Sequence, residues 1–587
     1  MLKAVFKQER HCQLAAVVLV AALSLTGVGV KAQTPADQGI WLQGPLLTSV
    51  QLSGLFDDSK TFVDMPLLAS PGAAQQAFQA LPRSADGSID NPTLSSFISS
   101  FFGAAGSDLE TYFPEDYSPE VPLDFLANVT DPAIRAWATS VRQLWATLSR
   151  VENGSVTQIP DQHSLLPLPD HFVIAGDRFR EEYYWDSYWI VQGLIICGLV
   201  ETAQAEVQNL VSLLQEYGHV PNGARQYYLN RSQPPLLSRM VDLIYEATND
   251  RDFLQEAFEA LQTEHDYWTT TEKAVSVRAP DGTIHSLSRY YADWTAPRPE
   301  GFSEDYPLGA SLTPAATAEL YRNIASGAES GMDFTVRWFS EPTANMSTIR
   351  TTQIIPVELN AYLYDMERNM AAFATELGNA SAAASFTAAA AARATAITAL
   401  MWNSSAGHWF SLILQDDSQR PATVSQQDIV HVSDYLPLWV GLSEQPGVDA
   451  SSIVRSLRSS GLIQQHGIAT SIYSSGQQWD FPNAWAPMQD MIVEGLQSYG
   501  GEEGAALAAQ LAQVWLESNY AGYQQTGLMV EKYDATMPGL AGGGGEYTVQ
   551  QGFGWTNGVM FKFLDTYGWN PSAGAPLPAT PLPSPRK

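Results

Sequence analysis

Four glycines at positions 542–545 run directly into Glu546, and the stretch that follows carries Phe553, Trp555 and Asn557. Glycine loses more conformational freedom on folding than any other residue. A run of glycines therefore marks a place where side chains would obstruct a ligand lying against the backbone. A flexible linker is the alternative, but linkers carry Ser, Pro and charge rather than this aromatic sequel. Fifteen residues upstream of Glu546 stands a second acid, Glu531, in MVEKYDA. Two carboxyls feeding one region suit general acid–base work.

Five further stretches share the same unusual mixture of acids, arginines, amides and aromatics. RFREEYYWDSYW (178–189) offers Arg178, Arg180, Trp185 and Asp186. An arginine beside an aromatic plane suits a sugar, whose hydroxyl edge takes hydrogen bonds and whose C–H face stacks. The same stretch also reads as a surface ion-pair cluster with Glu181 and Glu182. HVPNGARQYYLNRSQPP (219–235) supplies Asn222, Arg231 and Gln233, and RPE supplies Arg298 and Glu300. In AESGMDFTVRWF (328–339), Asp333 sits between apolar residues, which raises a carboxyl pKa as a general acid requires. Alternatively, Asp333 caps a helix or pairs with Arg337. GQQWDFPNAWAPMQD (476–490) carries Trp479, Asp480, Asn483 and Trp485 around Pro482, where Asp480 also reads as turn chemistry. With 16 tryptophans in the chain, several of them in these loops beside acids or amides, a carbohydrate site is favoured over an apolar pocket. Paired carboxyls then point to glycoside hydrolysis.

Other chemistries lack their signatures. The sequence has no His/Cys metal-ligand set, no phosphate-cradling Gly-Lys loop and no G-x-S-x-G elbow, and its histidines are scattered. The charge of −31 argues against nucleic acid and anionic membranes as partners.

The elements that position these loops read as helices. From about residue 186 onward, helical patterns of about 15–25 residues alternate with the loops, among them 188–217, 239–248, 253–269, 315–326, 356–377, 380–402, 452–459, 485–499, 504–520 and 557–567. Strand-like alternation is scarce, which suggests a closed helical toroid. Residues 33–160 are rich in Pro, Ser and Asp, show no evident chemistry and read as an extension wrapping the barrel. A basic start and an apolar run from Leu14 to Val30, ending in small residues, predict a secretory signal peptide over 1–32. Its removal takes the charge from −31 to −34 and leaves Cys197, expected to be buried and inert, as the remaining thiol. No other apolar run reaches the roughly 18 residues of a membrane span. The expected protein is therefore secreted, or directed to a vacuolar or periplasmic lumen, with no stable membrane anchor. Sequons at Asn128, Asn153, Asn230, Asn345, Asn379 and Asn403 could carry glycans, Asn230 least readily because it lies within a site motif. The Pro-rich 571–587 reads as a disordered tail.

Taken together, RFREEYYWDSYW, PNGARQYYLNRSQPP, ESGMDFTVRW, QWDFPNAWAP, EKYD and GGGGEYTVQQGFGWTNG resemble the trehalases of glycoside hydrolase family 37, over roughly residues 165–568. The resemblance implies an all-α (α/α)6 barrel over 161–570, acting as a monomer on the small molecule α,α-trehalose and releasing two glucoses with inversion. It implies neither cofactor nor metal. Asp333 would be the general acid and Glu531 the general base. Arg178, Trp185, Asp186, Asn222, Arg231, Arg298, Glu300 and Glu546 would contact sugar, joined by Gln233, Trp479 and Trp485 from the same motifs. Three positions depart from the family pattern: Asp177 for Gly, Met332 for Trp and Ala486 for Pro. Met332 would keep Asp333 in apolar surroundings but take a flat ring from the sugar subsite. The arginines are expected to keep Glu531 ionised, pushing the two pKa values apart, and the glycines to form a flexible lid. Two other functions fit the same motifs, another inverting α-glucosidase of the toroid type and a non-catalytic trehalose-binding protein.

Overall fold

The helices of this chain start in two different ways, with or without a side-chain cap. Those at Pro132–Leu148, Arg251–Thr270, Ala380–Leu400 and Ala450–Ser459 open on an Asp or Asn whose side chain accepts a free backbone N–H of the first turn. Those at Asp186–Ile196, Leu237–Thr248, Val357–Glu376, Ala486–Tyr499 and Gly554–Tyr567 have no side-chain cap. Most of the second group is buried on several faces, Leu237–Thr248 on one only; in Asp186–Ile196, nine consecutive residues from Asp186 to Leu194 are buried. A helix with no polar face belongs in an interior.

A computed structural model describes residues 40–119, 123–415 and 420–571. The expected leader over 1–32 and the tail beyond 571 lie outside them. The buried helices form an inner ring. Asp186–Ile196 packs on Leu237–Thr248, then come Val357–Glu376, the 3-10 segment Val432–Leu438, Ala486–Tyr499 and Gly554–Tyr567, which returns to Asp186–Ile196. Outer partners Val200–Tyr217, Arg251–Thr270, Ala380–Leu400, Ala450–Ser459, Gly501–Thr526 and Pro132–Leu148 complete the (α/α)6 barrel. The expected single helix over 188–217 is two, broken at Gly198 with φ +79°. The break lets inner and outer helices fold back as a hairpin, a turn that periodicity alone misses.

Ala380–Leu400 is, by length and a mean hydropathy of 1.2, apolar enough to cross a bilayer, contrary to the expectation that no second run would be. It lies in the outer ring with 39% of that apolar window buried. It packs on Val357–Glu376, and its buried Arg393 pairs with Glu367 at 2.8 Å. Cys197 is buried and accepts the Trp145 indole N–H at 3.4 Å, and burial pushes its thiol up to about 12.

The N-terminal segment is more than a wrap. Its short helices Pro45–Gln51, Ser59–Val63, Pro71–Gln79 and Asn91–Phe101 build an apolar cluster that covers Tyr183, Tyr227, Tyr228 and Phe302 of the site-bearing loops. Beneath it, the fully buried Lys60 ion-pairs with Asp64 and Glu181, each at 2.7 Å, and Arg225 Nε donates to Glu181 at 2.6 Å. Glu181 is thus an internal tie rather than part of a surface ion-pair cluster.

The inner ring closes where Gly193 of its first helix meets Gly558 of its last. A Cβ at Gly193 would lie 2.7 Å from the Gly558 Cα and 2.6 Å from the Trp145 ring, and one at Gly558 would collide with the Trp189 carbonyl. Neither contact can yield by side-chain rotation alone. Gly558→Ala is expected to destabilise the barrel by roughly 1–3 kcal/mol, seen as a lowered thermal unfolding midpoint. A wild-type midpoint would show that the seam is not close-packed.

Candidate active site

The loops entering three inner helices, together with the strap at 541–552, line one small polar cavity. The thirteen residues that the family resemblance implied all line it: Asp333 and Glu531, the arginines 178, 231 and 298, the acids Asp186, Glu300 and Glu546, the amides Asn222 and Gln233, and tryptophans 185, 479 and 485; Arg180, Asp480, Asn483 and Asn557 do not. Residues spread over 369 positions of sequence, from Arg178 to Glu546, thus meet in one place.

Asp333 follows the helix Pro314–Glu329 through Gly331, whose φ of +69° turns the chain under Trp185; a Cβ there would stand 2.7 Å from the indole. Asp480 then clamps the loop beyond the acid. Its buried carboxylate accepts Thr335 Oγ1 at 2.9 Å and Val336 N at 3.0 Å, with Ser471 Oγ at 2.7 Å. Gln478 donates to the Asp333 carbonyl at 2.6 Å. Asp480 is therefore neither a sugar contact nor simple turn chemistry; it ties the acid-bearing loop to the tryptophan-bearing one. The alternative pairing of Asp333 with Arg337 is not what forms, since Arg337 donates to Glu358 at 2.8 Å.

Glu531 ends a segment held on three sides. Its N–H donates to Gln550 O at 3.0 Å, and its carbonyl accepts Trp555 Nε1 at 2.9 Å. The adjoining strand Lys532–Asp534 pairs antiparallel with Asn483–Trp485. Its carboxylate accepts the Tyr547 hydroxyl at 2.6 Å. Trp485 stacks face to face on Trp479, with centroids 4.0 Å apart and planes 2° from parallel.

Each cavity arginine is held by a carboxylate. Arg178 makes a two-pronged pair with Asp58 at 2.6 and 2.9 Å, Arg298 does so with Asp305 at 2.8 Å on both prongs, and Arg231 pairs with Glu300. Arg298 also reaches Glu546 at 2.7 Å. Gln233 accepts the Trp185 N–H at 3.0 Å, and Asn222 donates weakly to the Ser232 carbonyl.

Burial raises both central carboxyls. Asp333 is pushed up to about 6 against the pull of Arg298 and then Arg231. Glu531 is also raised by burial, restrained first by Lys532, then by the Tyr547 hydroxyl, the Gln550 N–H and Arg178. The cations are thus distributed otherwise than expected: two of the three arginines act on Asp333, and a lysine is the first charge on Glu531. Both groups move upward rather than apart. The pair of donors on Glu531 favours its ionised form and limits that rise. Burial, together with the fields of Glu531 and Asp333, lifts Asp186 well above the carboxylate range.

Two expectations need correction. Met332 is fully buried but is not among the cavity-lining residues; its sulfur faces Arg337 Nη1 at 3.8 Å. The methionine itself therefore offers no surface to the cavity. The glycine run is also no loose lid. Asn483 clamps Gly543 through both its N–H and its carbonyl, at 2.9 and 2.8 Å. Gly545, at φ +84°, lies so close to Gln478 that a Cβ would stand 2.6 Å from its Oε1. Close approach of the strap explains the absence of side chains there. Sequence reasoning missed Tyr547, Lys532, Asp305 and Asp58. Tyr547 stood beside Glu546 in the motif, whereas nothing in the sequence marks Asp58.

An (α/α)6 barrel with two buried carboxyls facing an arginine- and tryptophan-lined cavity has the equipment of a toroidal glycoside hydrolase. The chain belongs to the trehalase family, whose model matches residues 54–568. It is 44% identical to a probable trehalase of Oryza sativa subsp. japonica, over 87% of this chain and 92% of that one. It is 40% identical to the trehalase of Homo sapiens over 94% of each chain, and 38% identical to that of Bombyx mori over 90% and 91%. Among solved structures, the neutral trehalase of Saccharomyces cerevisiae aligns with a TM-score of 0.55 at 26% identity, covering 69% of this chain and 76% of that one.

The placement of Met332 can be tested directly. Met332→Leu, a nearly volume-conserving swap costing under about 1.5 kcal/mol, should leave the substrate KM unchanged within experimental error. A several-fold rise in KM would place the side chain at the substrate after all.

Proposed function

We propose that the protein hydrolyses α,α-trehalose to two glucoses in a single inverting displacement. Membership of the trehalase family across residues 54–568 carries this conclusion, and the two buried carboxyls in one cavity supply its chemistry. Protonated Asp333 gives its proton to the bridging oxygen. Ionised Glu531 takes a proton from a water that attacks the anomeric carbon from the opposite face. An inverting pair needs about 6.5–9.5 Å between carboxyls, to leave room for that water.

Neutral, hydroxyl-rich ligands match the rest of the lining. Arg231 Nε and Glu300 Oε2 are buried without a hydrogen-bond partner, and sugar hydroxyls can both donate and accept. The paired tryptophans offer flat faces to sugar C–H bonds. Asp186, held neutral by its surroundings, can donate as well as accept. The leader expected over 1–32 supports a secreted protein. Exposed Asn128, Asn345 and Asn379 are the better glycan acceptors, because Asn230 is engaged with the Tyr227 carbonyl and with Arg231.

Asp333→Asn and Glu531→Gln should each lower kcat by several orders of magnitude with an unchanged thermal midpoint; near-normal turnover in either variant would refute its role. The pH profile follows from the acid. Asp333 must be protonated to act, and burial sets it to about 6. The wild-type kcat/KM should therefore fall roughly tenfold per pH unit above that value. A flat profile to pH 8 would remove Asp333 from the acid role.

A further inference from the structure

Between the N-terminal segment and the candidate base runs an unbroken chain of polar contacts. Asp58 precedes the short helix Ser59–Val63 and grips Arg178 with both oxygens, at 2.6 and 2.9 Å. The Arg178 guanidinium carbon lies 4.4 Å from the centroid of the Tyr547 ring. The Tyr547 hydroxyl donates to Glu531 Oε1 at 2.6 Å. A second connection runs beside it: the Arg178 N–H donates to Gln550 Oε1 at 3.0 Å, and the Gln550 N–H reaches Glu531 Oε2 at 3.4 Å. The strap is thus bonded to Arg178 at one point and to both oxygens of Glu531 at two others.

We propose that Asp58 is a positioning residue for the reaction: by fixing Arg178 against Tyr547, it sets the orientation and the ionised state of the Glu531 carboxylate. The proposal rests on Glu531 acting as the base. Asp58 touches neither the cavity nor the reacting atoms, since it is not among the lining residues. Its influence passes through a paired guanidinium whose planar fork, locked by two hydrogen bonds, cannot rotate freely. The charged and titratable groups facing Glu531 are Lys532 on its own segment, Tyr547 on the strap, Arg178 on the first loop and Asp186 at the start of the first inner helix. The effect of each change follows in sign. Loss of the Tyr547 hydroxyl removes a donor that favours the carboxylate, so the Glu531 pKa rises. Loss of the Asp58 charge leaves Arg178 unneutralised, so the Glu531 pKa falls.

The test is the acidic limb of the kcat/KM–pH profile in full-length protein, with trehalose as substrate. Tyr547→Phe should move that limb up by about one pH unit. Asp58→Asn should move it down and raise KM several-fold, and Asp58→Glu, which restores the charge, should return the limb towards wild type. A merely structural role for Asp58 would lower activity at every pH without moving the limb. An unmoved limb in either Tyr547→Phe or Asp58→Asn, while Glu531→Gln remains inactive, would overturn the proposal and leave the base assignment standing. An active Glu531→Gln would instead remove the base assignment itself. Tyr547 lies on the strap rather than in the barrel core, so an unmoved limb in Tyr547→Phe overturns the proposal even if Asp58→Asn fails to fold, because the link from Asp58 to Glu531 is then without effect.

Discussion

Three guanidiniums cannot be taken out of water into one small cavity unless each brings its own counter-charge, and that constraint organises the molecule. Removing one partner of a fully buried ion pair such as Arg298–Asp305 costs about 3–5 kcal/mol, because the other is left uncompensated; the Arg178–Asp58 pair, with the Asp58 side chain 33% exposed, costs less. Here the partners are Asp58 for Arg178, Glu300 for Arg231 and Asp305 for Arg298, with Glu546 as a second partner of Arg298. Asp58 and Asp305 hold their arginines through both prongs, which fixes the plane of each fork. The remaining donors are then aimed rather than mobile, and a ligand meets them without having to order them. Closely packed aromatic walls serve the same end, since Trp479, Trp485 and Trp555 brace one another and leave no freedom to collapse.

The partners explain architecture that the barrel alone would not require. Asp58 comes from the N-terminal segment and Asp305 from the helix Phe302–Gly309, both outside the two rings. The N-terminal segment is held by an apolar cluster over Tyr183, Tyr227 and Tyr228 and by the Lys60 network beneath it, so its attachment and the geometry of Arg178 are one problem. The barrel supplies a packed frame through inner helices such as Asp186–Ile196 and Ala486–Tyr499, which are buried along most of their length. The site itself is completed by segments that lie against it.

How far the sequence could be read follows from the range of each interaction. Helix positions were legible because capping acids, left-handed closing glycines such as Gly218 and apolar periodicity are local signals. The site loops were legible because their composition is odd and their motifs are shared with a family. Failures came where a long-range contact decided the outcome. Asp58 is 120 positions from Arg178, and an isolated Asp ahead of a five-residue helix carries no mark of its partner. Tyr547 was in plain view but points away from its neighbour: Glu546 turns to Arg298 and Tyr547 to Glu531. Met332 was singled out only as a departure from the family pattern, which carries no information on which way the side chain faces; here it is buried against Arg337. The glycine run was placed correctly as part of the site, yet its rigidity comes from Asn483 and Gln478, some 60 positions away.

The central claim is that Asp333 and Glu531 carry out one direct displacement on trehalose. Proton NMR of the purified protein with trehalose, recorded faster than glucose mutarotates, reads this most directly. One direct displacement releases α-glucose from the leaving half and β-glucose from the attacked half, so equal amounts of the two anomers are predicted at the earliest times. Formation of α-glucose alone would show a double displacement with retention, and trehalose left intact would show that the site does not cleave it; either result would contradict the account.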